Sequence, residues 1–186
     1  MSRLGVTPSQ TVGPFFANAL LRDALNVVAG PGVQGERIRL EGRVLDGDGQ
    51  PVPDALVELW QANAAGRYNH PADARDLPLD RAFLGFGRSG TDDDGRYWFD
   101  TIKPGRAEDQ APHLNLTVFA RGLLNHLSTR VYFPEDETDA DPILRLVPPA
   151  RRPTLIARRL APGVYAFDVV LQGKPEQETV FFAYRR

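Results

Sequence analysis

Apolar and polar positions take turns along the first half of this chain. Ile38, Leu40, Gly42 and Val44 alternate with charged neighbours, and the run meets Asp46-Gly47-Asp48-Gly49. Successive side chains of a strand point to opposite faces, so this spacing predicts a half-buried strand running into a turn. Residues 55–60 predict the next strand. Thr91-Asp92-Asp93-Asp94-Gly95 is a turn, and 96–102 predicts a strand with Tyr97 and Phe99 on one face. Further strands are expected at 113–120, 129–133, 154–159, 164–171 and 179–184. The 17 glycines and 16 prolines are spread between these segments, as short strands joined by many turns require. The pattern predicts an all-β chain, an antiparallel β-sandwich with long loops and little helix. Residues 17–28 have helical propensity but an indifferent apolar face, which predicts a short helix or a loop. Residues 69–89 and 134–153 read as long charged connections, a kind that usually serves function or touches a partner.

One strand carries chemistry. From 113 the residues read His, Leu, Asn, Leu, Thr, Val, with polar side chains at 113, 115 and 117 and apolar ones between. One face is therefore buried, and the other lines something polar. A solvated or internally hydrogen-bonded face would read the same way.

Composition narrows the function classes. At 186 residues the chain fits one domain, 1–186. A net charge of −2 provides no basic excess for phosphates, so a nucleic-acid partner is not expected. No apolar run has the length of a membrane span. The first eight residues lack the layout of a secretory signal, and the absence of cysteine excludes disulfides and thiolate metal sites. Together these suit a cytoplasmic protein.

Two blocks stand out: Asn63-Ala64-Ala65-Gly66-Arg67-Tyr68, and Lys103-Pro104-Gly105-Arg106-Ala107 leading to Pro112-His113-Leu114-Asn115-Leu116. They resemble the iron-binding region of the intradiol ring-cleavage dioxygenases, which split catechol rings with a non-haem ferric ion. The ligands of that family are a tyrosine in the Gly-Arg-Tyr stretch, a second after Lys-Pro-Gly, and a His-x-His pair. Tyr68 and His113 match two of them, whereas Ala107 and Asn115 stand where the others would be. Ferric iron is a hard cation that needs several strong donors. Alanine offers none, and an asparagine amide offers a neutral oxygen. The four residues therefore read as a degenerate metal site, with Tyr68 packed and hydrogen-bonded and His113 in a satisfied polar pocket. The arginine that precedes the histidines in catalytic members is also absent, with Gln110 roughly in its place. His70 and His126 look isolated, and the Asp92–Asp94 carboxylates read as a solvated turn.

The resemblance runs from about Thr7 to the C-terminus. It is closest to the iron-free chain of family members built from two homologous chains, through Thr7-Pro8-Ser9-Gln10-Thr11-Val12-Gly13-Pro14-Phe15, 119–122, 128–133 and 178–182. It implies an alpha-type subunit in a higher-order hetero-oligomer whose beta subunit binds the Fe(III). The implied substrates are a small aromatic acid, 3,4-dihydroxybenzoate, and O2, with 3-carboxy-cis,cis-muconate as the product. It further implies that Thr11, Gly13, Pro14 and Arg130 border the substrate, and that residues 1–35 form an arm against the partner. A different reading stays open. Residues 51–60 and 91–99 also resemble transthyretin-like sandwich modules, which bind partners without doing chemistry.

Overall fold

The alternation read from the sequence is what builds the first sheet. The computed structural model describes residues 5–21 and 25–183. In β1 (Arg37–Leu45), Ile38, Leu40 and Val44 are buried while the charged residues between them face outward. β1 pairs antiparallel with β4 (Arg96–Ile102), with Leu40 opposite Phe99 and Gly42 opposite Tyr97. It pairs parallel with β8 (Val164–Ala166) and β9 (Val169–Val170), and β7 (Arg158–Ala161) completes this five-stranded sheet beyond β8. The second sheet has the order β3 (Phe86–Gly90), β2 (Leu56–Trp60), β5 (His113–Phe119), β6 (Leu127–Tyr132), all antiparallel. Leu40, Tyr97, Phe99 and Tyr165 from the first sheet share one hydrophobic core with Val57, Leu59, Leu116, Val118 and Val131 from the second. Each such residue, fully buried, contributes about 1.5–3 kcal/mol, so the inward register of both sheets is strongly fixed.

Residues 25–29 tie the two sheets together at one side. Arg88 N donates to Leu25 O, Asp100 N donates to Asn26 O, and Val28 N donates to Asp100 O. The segment thus occupies the edges of both β3 and β4.

Several expectations need correction. The first sheet is mixed where an antiparallel one was expected, because β8 and β9 run parallel to β1. The connection at 69–89 ends in a strand, β3, which lacks an apolar alternation because it is an edge strand with Gly87 lying under Val28 and Leu25. The stretch 134–153 contains a short helix, α2 (Pro142–Arg145), capped by Asp141, and the start of a 3-10 turn, Pro149–Leu155. That turn replaces the beginning of the strand expected at 154–159, because Pro149 and Pro153 favour tight turns and supply no ladder donor. The strand expected at 179–184 is a single bridge, Phe182 to Ser128. Ile156 bridges Tyr132 on the same edge of β6, so two segments share that edge and neither forms a full ladder; residue 184 lies outside the described residues. Residues 164–171 divide into β8 and β9 where Phe167 and Asp168 bond to Glu41 and Arg43 of β1. Residues 17–28, read as a short helix or a loop, fall in the short helix α1 (Phe16–Leu20) and in non-helical chain at 25–28, with 22–24 outside the described residues.

Candidate functional site

The polar positions of β5 open on the side of the second sheet that faces away from the core. Asn115 stands opposite Trp60 of β2 and Arg130 of β6, and His113 stands opposite Tyr132. Cross-strand partners share a face, so these side chains form one cluster. The long connections between strands cover it.

Two turns bring Tyr68 to this cluster. The first is organised by Asn63, whose side-chain oxygen accepts from Ala65 N at 2.9 Å and Arg67 N at 3.0 Å, while its amide donates to Pro78 O at 2.8 Å. Gly66 has φ +81°, and a Cβ there would lie 1.8 Å from Arg106 O. Only glycine allows both the left-handed backbone and the close approach. The second turn is Lys-Pro-Gly, where a Cβ on Gly105 would lie 2.4 Å from Ala64 O. The two motifs that mark the family are thus two turns packed backbone to backbone. Lys103 anchors the second through Glu135 at 2.7 Å and Asp136 at 3.0 Å. Tyr68 N donates to Asp73 at 2.8 Å, and its ring stacks on Trp60 with centroids 5.6 Å apart.

The two surviving ligand-type side chains are bonded to each other. Tyr68 OH lies 3.3 Å from His113 Nε2, and His113 Nδ1 lies 2.8 Å from Ala111 O. The carbonyl can only accept, so the ring proton sits on Nδ1, and Nε2 accepts from the tyrosine hydroxyl. Asn115 Nδ2 donates to Tyr68 OH at 3.2 Å and to Trp60 O at 3.1 Å. Asparagine thus fills the space of a second histidine with a donor that satisfies the tyrosine oxygen. Burial, reinforced by the nearby Arg130 charge, pushes the His113 pKa down to about 4, so the imidazole is neutral at physiological pH.

Arg130 is itself buried, at 8% exposure. Its guanidinium donates to Gln110 Oε1 at 2.8 Å and to Tyr132 OH at 3.4 Å, and Tyr132 OH donates to Asp141 at 3.2 Å. Asp141 is fully buried and also accepts from the backbone of Ala111, Ile143 and Leu144. Burial raises the Tyr132 pKa above the usual phenol range, which keeps it a hydroxyl. A second apolar cluster of Ala111, Tyr132, Leu144, Val147 and Leu155 packs beside this network and holds it rigid.

The donor set does not fit a ferric ion. Tyr68 and His113 already bond to each other, Asn115 presents its N–H₂ to the tyrosine oxygen, and Ala107 contributes a methyl group to the wall. Among the described residues no three His, Cys, Asp or Glu side chains are grouped where they could hold a metal.

The structure brings Tyr68, His113, Asn115, Ala107 and Arg130 into one region, but it does not bring Thr11, Gly13 and Pro14 there. Thr11 Oγ1 accepts from Gly122 N at 2.8 Å, beyond the far end of β5 from His113. Seven strand residues separate the two places by about 20 Å. Asp92 caps its own turn by accepting from Asp94 N and Arg96 N, and His126 lies against the Phe119 ring. His70, isolated in the sequence, meets the Trp60 ring edge-on with centroids 6.5 Å apart. Sequence reading missed Trp60, Asp73, Arg75 and Asp141. Trp60 could have been found, since it alternates outward from Val57 and Leu59. The others lie in connections whose path no periodicity reveals.

Comparison with known proteins gives the family. The dioxygenase family model matches residues 12–173. The protocatechuate 3,4-dioxygenase alpha chain of Burkholderia cepacia is 46% identical, over 98% of this chain and 99% of its own length. The beta chain from the same organism is 46% identical over 75% of this chain and 66% of its own. Among solved structures, the dioxygenase domain of a dioxygenase–carbohydrate-binding fusion from Streptomyces sp. SirexAA-E superposes with a TM-score of 0.60 at 26% identity, covering 90% of this chain and 98% of that one. With two sheets of this kind, the paired Asn63–Tyr68 and Lys103–Ala107 turns and a histidine at the head of β5, the chain belongs to the intradiol ring-cleavage dioxygenases, a family of oxidoreductases.

Proposed function

We propose that this chain is the alpha subunit of a protocatechuate 3,4-dioxygenase, that it binds no iron, and that it shapes the substrate pocket of a homologous ferric beta subunit. The complex would cleave 3,4-dihydroxybenzoate between its hydroxylated carbons, adding both atoms of O2 to give 3-carboxy-cis,cis-muconate. One observation carries the reading: Tyr68, His113 and Asn115 form a closed set of hydrogen bonds where iron would need free donors. The end-to-end match to an alpha chain, against a partial match to a beta chain, supports it.

In this reading the chain is one domain, a sandwich of the family type with one mixed and one antiparallel sheet; of the expected arm at 1–35, the part before residue 25 would lie on the partner, while Val28, Ala29 and Val33 pack in this chain's own core. Several features of the arm support that. Val6 is 99% and Phe15 76% exposed, and exposed apolar side chains in an extended segment gain stability when covered. A Cβ on Gly13 would meet nothing within 4 Å, so this chain's own packing does not require glycine there. Close approach of a partner or a planar ring to the Gly13-Pro14 turn would require it. Thr11, Gly13 and Pro14 would border the beta subunit's pocket. Arg130 would pair with the aromatic carboxylate, a role that requires its guanidinium to exchange the Gln110 bond for the substrate. The assembly would be a cytoplasmic alpha–beta oligomer of higher order.

Co-expression with a beta-type chain tests this. The reading expects co-purification as an alpha–beta complex that consumes O2 with 3,4-dihydroxybenzoate, while the isolated chain does neither. Ring cleavage by the isolated chain would overturn it.

A further inference from the structure

The outer face of the first sheet lies across the shared core from Tyr68 and His113, and it holds a cavity of about 860 Å³, within the range of small-molecule pockets. Cross-strand register builds it. One row runs from Trp98 on β4 through Glu41 on β1 and Ala166 on β8 to Arg158 on β7. Ala166 is the smallest side chain of that row, and it leaves a hollow between Trp98 on one side and Arg158 and Leu160 on the other. Leu160 is 51% exposed, so the hollow has an apolar rim open to solvent. At its end, Arg43 of β1 stands directly opposite Arg96 of β4, and both are exposed.

The charges select the kind of ligand. Three carboxylates line the cavity, and each is already engaged. Glu41 accepts from Arg39 at 3.2 Å, and Asp92 accepts from the backbone of Asp94 and Arg96. Asp168 accepts from Arg43 N at 3.0 Å and faces Arg158 at 3.7 Å. Of the four lining arginines, Arg39, Arg96 and Arg158 pair with carboxylates, and the Arg39 guanidinium also lies 4.2 Å over the Trp98 ring. The Arg43 guanidinium has no ion pair or hydrogen bond among the described residues, and solvent reaches it. Arg96 keeps donors beyond its bond to Asp94, since a guanidinium carries five. Like charges directly opposite on neighbouring strands repel, and an anion set between them would turn that repulsion into attraction.

From this geometry we infer that the sheet-face cavity binds a small organic anion with an apolar body, its carboxylate accepting from Arg43 and Arg96 and its body lying over Ala166 between Trp98 and Leu160. Guanidinium forks match carboxylate geometry, and the hollow supplies apolar contact that an inorganic ion would not use. The site is remote from the degenerate metal site and does not depend on the subunit assignment proposed above.

The two tryptophans make the test local, because Trp98 lines this cavity and Trp60 lines the one at the degenerate site. The full chain, labelled with 15N, is titrated with 2-naphthoate in low-salt buffer, and the two indole N–H signals are followed by NMR. Saturable movement of the Trp98 signal is expected, with the Trp60 signal unmoved. The neutral analogue 2-naphthamide is expected to bind about tenfold more weakly, and Arg43→Gln to weaken naphthoate about tenfold. Arg43 is exposed and its side chain bonds to nothing among the described residues, so Arg43→Gln should fold with an unchanged or higher melting temperature. Absence of saturable movement at Trp98, movement at Trp60 alone, amide binding as tight as naphthoate's, or unchanged affinity in Arg43→Gln would each overturn the inference.

Discussion

The neutral, buried His113 makes the fold sensitive to acid in a defined way. Its imidazole faces Tyr68, Asn115, Tyr132, Arg130 and the buried Asp141, and it accepts at Nε2 and donates at Nδ1. Protonation removes the acceptor that Tyr68 uses and places a second cation near Arg130. Above pH 6.5 the imidazole is neutral in both folded and unfolded chains and costs nothing. Between 6.5 and about 4 the unfolded chain takes up a proton that the folded chain refuses, so stability falls; below about 4 both bind it and the loss levels off. A displacement from 6.5 to about 4 corresponds to about 3 kcal/mol in all, a large part of a typical domain's stability. The assay is urea denaturation of the full chain and of His113→Gln at pH 7, 6, 5 and 4. Comparing the two isolates His113 from the carboxylates, which also titrate at the acid end. The wild-type chain should lose about 3 kcal/mol more than the variant across that range. Parallel pH profiles, or an imidazole that titrates near 6.5 by NMR, would refute the buried neutral assignment.

Three further outcomes are expected. Gly66→Ala, with φ +81° and a Cβ directed into Arg106 O, should destabilise by about 3 kcal/mol or more and appear as a lowered melting temperature. Replacing Ala107→Tyr together with Asn115→His should give weak ferric binding, visible as a faint tyrosinate-to-iron absorption, with little ring cleavage because the bonds around Arg130 and Gln110 remain unchanged. In the alpha–beta complex, Arg130→Ala should raise KM for 3,4-dihydroxybenzoate more than it lowers kcat; an unchanged KM would remove Arg130 from the substrate.

Much of the second sheet was legible because its strands alternate cleanly: Val57 and Leu59 inward against Glu58 and Trp60 outward, then Leu114, Leu116 and Val118 against His113, Asn115 and Thr117. The family motifs were legible for a different reason. Asn63, Gly66 and Gly105 are each required by backbone geometry, so the turn leaves its mark in residue identity. β3 was hidden because an edge strand under a covering segment needs little apolar surface, and its glycines admit Val28 and Leu21. The split of 164–171 and the loss of the 179–184 strand depend on competition for the edges of β1 and β6, a tertiary matter that no local pattern encodes. The same holds for the site. The family resemblance pointed to Tyr68, His113 and Asn115, but their mutual hydrogen bonds, and the Arg130–Tyr132–Asp141 chain behind them, follow from cross-strand register and a distant helix cap.

The central claim is that this polypeptide's own donors cannot hold the ferric ion its family uses. The most direct measurement is elemental analysis, with a visible absorption spectrum, of the full chain expressed alone in iron-replete medium. The account predicts a colourless protein with far less than one iron per chain. One iron per chain, with absorption from tyrosinate bound to ferric ion, would contradict it.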